Sequence, residues 1–171
     1  MTPAEAEWQF DGAGLAFRSY LRVALTEHPF SRMARLYDLI AQTDRFWQLR
    51  HMMGVNIPAF SQWLATTQPT GRGAGTRHSP RWRQHGAWSA KTWGADYINH
   101  TVRIEAVEGD LAPVLAQLGI APCLDDIVSR TGEREAWHAR YDKDAIAIMM
   151  ARYGWDMAKF GYTAPRHAQF A

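Results

Sequence analysis

The sequence predicts an α/β protein, helix-rich with a small parallel sheet. Three observations carry that prediction. Tyr97 to Ile104 is apolar and β-branched with few breaks, the composition of a short, largely buried strand. Val107, Leu111, Val114, Leu115 and Leu118 follow at helical spacing, and Gly119 stands where a C′ glycine ends a helix. A strand leading into a helix is half of a βαβ unit, which implies parallel pairing with a second strand. Glu105 lies where this strand gives way to the helix, at the carboxyl edge where open α/β sheets place ligands.

The remaining elements follow in order. Residues 1–14 form a lead segment, loose or weakly helical, with Pro3 suited to a helix start and Trp8 available as an anchor. Leu15 to Thr26 is mainly apolar, and its second strand is expected near Leu21 to Leu25. Phe30, Met33, Leu36, Tyr37 and Ile40 then predict a helix from about Pro29 to Gln42. A short helix is expected over Phe46 to Met53, broken at Gly54, and another from Asn56 or Ile57 with Pro58 in its first turn. Residues 67–79 form a mobile basic loop with three glycines and a proline. Beyond the central strand and helix, Glu133 to Arg140 reads as a short helix after an irregular link. Asp142 to Phe160 is a long helix with acidic residues first, Lys159 last and Gly161 as its stop.

At 171 residues the chain is most simply one domain, residues 1–171, with room for a core. Its net charge of +2 says little, but the distribution of charge says more. No Asp or Glu occurs between Asp44 and Asp96, an interval holding six arginines, Lys91 and three histidines. A tract of one sign creates a local positive field suited to phosphate, sulfate or acidic polymers; a solvated basic face is the plainer alternative. Within it, Arg72, Arg77, His78, Arg81, Trp82 and Arg83 are the candidate contacts for an anion or anionic glycan. Interleaved Arg and Trp suit stacking on sugars or bases, and also suit Trp packing beneath Arg stems. Cys123, the single cysteine, can form no internal disulfide. The N-terminus is acidic and lacks an apolar signal core, and no apolar run reaches the roughly 18 residues of a membrane span, so a cytoplasmic location is expected.

Other chemistry finds little support. The seven histidines show no HExxH spacing and no close His–Cys or His–carboxylate cluster, so no metal is expected. No Gly-x-Ser-x-Gly nucleophile elbow occurs. The glycine-rich loop lacks the Gly-Lys-Ser/Thr ending of a phosphate loop. Glu105 could act as a base, but pairing with Arg103 or capping the next helix is the expected use.

Three blocks carry a family resemblance. Thr26 to Ile40, TEHPFSRMARLYDLI, resembles the strand-to-helix segment VRNPFDRxxSxY of bacterial sulfotransferases that use 3′-phosphoadenylyl sulfate (PAPS). Arg77 to Arg81 with Asp96 and Val102 to Glu105 resembles that family's H-x-P-Q … D-x-(I/L)-R-x-E segment. Tyr141 to Tyr162 is similar to its closing segment, with Asp156 and Phe160-Gly161-Tyr162 as the most specific match. The blocks span about Leu21 to Tyr162. The resemblance implies a truncated sulfotransferase-like fold, related to the P-loop NTPase type, with the Phe-Gly-Tyr end docked in the core.

The departures shape the functional expectation. The family begins with a strand and a phosphate loop that binds the donor through backbone N–H groups; nothing near Met1 resembles it. The family's catalytic base lies mostly in that part, so no catalytic residue is assigned. Arg32 and Tyr37 match the pattern, whereas Glu27 stands at the Arg of RNP and Arg35 at the Ser of SxY. Glu27 would repel a phosphate, and Arg35 does not reproduce a serine's geometry. Arg32 and Arg35 are therefore the remnant of a 3′-phosphate site. The resemblance implies a domain that has lost its PAPS site and serves as a binding or structural subunit, with another protein chain or a second copy as partner. No cofactor is expected unless the donor site survives, in which case PAPS or its product adenosine 3′,5′-bisphosphate (PAP) would bind. The alternatives are an active sulfotransferase completed by another chain or upstream segment, and direct nucleic-acid binding. Two strands make a sheet with open edges, which another chain or flanking helices would have to cover.

Overall fold

The computed structural model describes residues 3–67, 89–121 and 137–165. The chain divides into two compact units, one built from Met1–His28 and Trp93–Arg134, the other from Pro29–Thr92 and Glu135–Ala171. Helices dominate, and the sheet is a single parallel pair, as an α/β reading requires.

The first unit contains helix α1 (Pro3–Gly12), a 3₁₀ turn at Phe17–Ser19, strand β1 (Val23–Thr26), strand β2 (His100–Arg103) and helix α6 (Val107–Gln117). Val23 pairs with His100, and Thr26 with Arg103. Both strands are shorter than the sequence predicts. The Arg22 carbonyl accepts the N–H groups of both Asn99 and His100, which opens the pairing. Upstream, Gly94 at φ +106° turns the chain into a 3₁₀ turn at Ala95–Tyr97, where a strand was expected to begin. Only glycine is comfortable at that φ. A second 3₁₀ turn at Ile104–Ala106 ends β2 and feeds α6. Of the apolar stripe on α6, Val107 and Val114 are buried, whereas Leu118 is half exposed. Gly119, at φ +66°, ends the helix as its position predicts.

The second unit holds helices α2 (Pro29–Thr43), α3 (Arg45–Met52), α4 (Phe60–Thr66) and α7 (Lys143–Phe160), with a 3₁₀ turn at Trp137–Arg140. The short helix α5 (Ala90–Trp93) marks the return toward β2. The hydrophobic core is aromatic. Phe30, Met33 and Ile40 of α2 are fully buried with Trp47, Trp63, Tyr141, Met149 and Tyr153. The Tyr37 ring meets Trp47, Phe60 and Trp63 edge-on at 5.3–5.4 Å, the arrangement that aromatic quadrupoles favour. Its hydroxyl donates to the Pro58 carbonyl at 2.9 Å. That bond fixes an extended approach to α4, which starts at Phe60 rather than at Asn56 or Ile57. Tyr141 donates to the Phe30 carbonyl at 2.6 Å, tying the turn before α7 to α2.

The ends of α7 are set locally. Asp142 is its N-cap, accepting the Ala145 N–H at 2.8 Å, and Gly161 closes it at φ +70°. Within the Phe-Gly-Tyr end, Tyr162 packs against the buried cluster, whereas Phe160 does not. Phe160 is half-buried and touches Trp155 and Tyr162 edge-on, outside the buried cluster.

Candidate functional site

The first place to look is the carboxyl edge of the strand pair. Glu27 follows β1 and is buried, at 7% exposure. The next residue, His28, donates its backbone N–H to Glu105 Oε1 at 2.8 Å. Glu105 thus ties the ends of the two strands together. It does not cap α6, whose start has no side-chain cap. The Arg103 fork goes to Asp110, with Nε and Nη2 at 2.7 and 2.8 Å from its two oxygens, while the Arg103 backbone N–H adds a third bond at 3.0 Å. These bonds from Arg103 hold the Asp110 carboxyl down at about 2. The edge thus carries two carboxylates, Glu27 and Glu105.

Arg32 and Arg35 both lie on α2, in the second unit. The Arg32 side chain is turned inward. Its guanidinium sits over the Tyr153 ring, 5.3 Å from the centroid, and 3.9 Å from Asp156 Oδ2. Only 18% of the side chain is exposed. Arg35, three residues on, is exposed. Of the two arginines, one is turned toward the interior and the other lies at the surface.

Asp156 is the polar centre of this cluster. It is 2% exposed, and its Oδ2 accepts the Ala90 N–H at 2.7 Å, fastening α5 to α7. Burial raises its pKa, an effect opposed in part by the Ala90 N–H and by Arg32. Burial also pushes the Tyr153 hydroxyl up to about 12. One turn away, Arg152 donates to the Thr67 hydroxyl at 3.2 Å and to its carbonyl at 2.6 Å. Thr67 is fully buried, so this arginine anchors the end of α4. The sequence marks Asp156 as a motif match without revealing its use. The readable signal is an acid between Tyr153 and Met157 on the face that Met149 also occupies, where burial requires a donor.

The six candidate anion contacts, Arg72, Arg77, His78, Arg81, Trp82 and Arg83, lie outside the described residues, as does Cys123. Among the described residues, no three His, Cys, Asp or Glu side chains come together as a metal cluster, and no helix is long and apolar enough to cross a membrane. No protein-family model, no curated protein and no solved structure matches the chain.

Proposed function

We propose that this chain is a sulfotransferase-like domain without a donor site of its own, acting as a binding or structural subunit of a larger assembly. The observation that carries this reading is the environment of Arg32. In the resembled pattern this cation belongs to the 3′-phosphate site. Here its guanidinium lies beside Asp156 and over the face of Tyr153, within the second unit. Turning it toward a phosphate would leave the buried Asp156 without its neighbouring cation, at a cost of several kcal/mol. Glu27 at the end of β1 adds repulsion where the pattern has an arginine. Catalysis by this chain alone is therefore demoted, and the acid-free tract around Arg72 to Arg83 becomes the contact surface for an anionic glycan or partner.

A second reading, an active enzyme completed by another chain, rests on a different observation. On β1, Leu25 is 63% exposed and Val23 is 40% exposed, and among the described residues the sheet has two strands. A sheet this small is marginal by itself, and a further strand from a partner would complete it.

Calorimetric titration with PAP separates the two. The non-catalytic reading expects no binding to the folded protein, together with salt-sensitive binding to heparin that Arg81→Ala with Arg83→Ala weakens. Micromolar, stoichiometric PAP binding would overturn it in favour of the enzyme. Heparin binding unchanged in the double variant would remove the basic tract as the contact.

A further inference from the structure

We infer that the first unit carries a binding site for a small hydroxylated anion, a sugar phosphate or sugar sulfate monoester, in the cavity lined by Arg18, Arg22, Asp96 and Tyr97. The inference rests on neither the sulfotransferase reading nor the basic tract. The cavity is open and has a volume of about 300 Å³, large enough for one such ring with its ester group.

Both arginines are held by the inner nitrogen and present the outer ones. Arg18 Nε donates to Glu7 at 2.8 Å, and its guanidinium lies over the Tyr97 ring, 5.5 Å from the centroid. Arg22 Nε donates to Asn99 Oδ1 at 3.0 Å, the same oxygen that accepts the Arg22 backbone N–H. The Phe17 ring supports the Arg22 guanidinium at 5.5 Å. Phe17 is itself buried, with the Phe10 ring edge-on against it at 5.4 Å. Among the described residues, the Nη atoms of Arg18 and Arg22 make no hydrogen bond. Two guanidinium groups fixed in this way lose little side-chain freedom when they accept an anion, which is the advantage of preorganisation. Their forked donors match the oxygens of a phosphate or sulfate ester.

Asp96 decides the rest of the ligand. It lines the same cavity, is exposed, and forms no ion pair or hydrogen bond with either arginine among the described residues. A bare anion would meet its repulsion. A molecule that carries hydroxyl groups beside its ester gives Asp96 donors to accept while the arginines hold the charge. Tyr97 adds a ring edge and a hydroxyl that makes no hydrogen bond among the described residues, suited to the apolar side and rim of a sugar.

The test is calorimetric titration of the full chain with glucose 6-phosphate, glucose 6-sulfate, glucose and inorganic phosphate. We expect at least one ester to bind about tenfold or more tightly than both glucose and inorganic phosphate; which ester is preferred identifies the anion. Arg18→Gln, at a side chain 71% exposed whose loss spares folding, should weaken that binding about tenfold. Asp96→Asn should narrow the gap between the ester and inorganic phosphate by relieving repulsion of the bare ion. The inference is overturned if neither ester binds the folded wild-type chain, if inorganic phosphate binds as well as the esters, or if Arg18→Gln leaves ester binding unchanged. Circular dichroism of each variant separates lost binding from lost fold.

Discussion

The two units hold themselves together by different means. The second buries a continuous cluster of large side chains, with Trp47, Trp63, Tyr141, Tyr153 and Phe30 all at 1% exposure or less. Among the described residues, the first has four buried apolar side chains besides its proline: Phe17, Val102, Val107 and Val114. It compensates with side chains that satisfy backbone N–H groups across its short sheet. Asn99 holds Arg22, Glu105 holds His28, and Asp110 holds Arg103. The contrast teaches where each unit is vulnerable. Apolar burial is spread over many contacts and gives a large, cooperative contribution. Polar bonds near the surface each contribute about 1 kcal/mol, and the one at Asp110 depends on pH.

The largest effect should come from the aromatic core. Trp63→Ala removes a side chain 1% exposed and should destabilise by about 3–5 kcal/mol in urea unfolding followed by circular dichroism. A loss under about 1 kcal/mol would mean that the second unit does not depend on this cluster. Tyr141→Phe keeps the ring and removes only the hydroxyl that meets the Phe30 carbonyl. A loss of about 1–2 kcal/mol is expected in the same measurement, and a neutral result would show that this bond adds nothing to ring packing. Phe160→Ala should cost about 1–2 kcal/mol, because the ring is only partly buried and lies outside the buried cluster. The resemblance, with this end fully docked, would put that figure at about 3–5 kcal/mol.

The smallest effects are electrostatic, and they should run in opposite directions in the two units. Asp110 has a lowered pKa, so in the acid range the unfolded chain takes up a proton that the folded chain does not. Its contribution is present above the ordinary carboxyl value near 3.8 and is lost as pH falls toward about 2. Asp156 has a raised pKa, so the folded chain keeps its proton longer. Its contribution is present below the ordinary value and is lost as pH rises through the raised one. Hydrogen exchange across the acid range, read separately at β2 and at α7, should show protection falling with acid near Asp110 and rising with acid near Asp156. Asp110→Asn should cost up to about 1 kcal/mol at neutral pH and flatten the first trend. Parallel pH trends in the two units would break the comparison.

Local chemistry was legible wherever one residue type acts alone. The α2 stripe from Phe30 to Ile40, the Asp142 start and Gly161 stop of α7, and the glycines at Gly54 and Gly119 could be read from propensity and spacing, and each sits as expected. The α/β class followed from a strand running into a helix. The sequence by itself therefore determined helices α2, α3, α6 and α7, the glycine stops after the last three and the parallel sense of the strand pair, because helical period, capping and φ preference act over a few residues; it did not show α5 or where α4 starts. What only the tertiary structure decided depends on partners far away in the chain. The neighbours of Arg32, Asp156 and Tyr153, come from more than a hundred residues on. Arg18 and Arg22 drew no attention as a pair. Their shared cavity exists because Asp96, Tyr97 and Asn99, about 75 residues later, pack beside the start of β1. Whether an arginine serves a core or a ligand is set by what meets its guanidinium in space, and no local pattern records that.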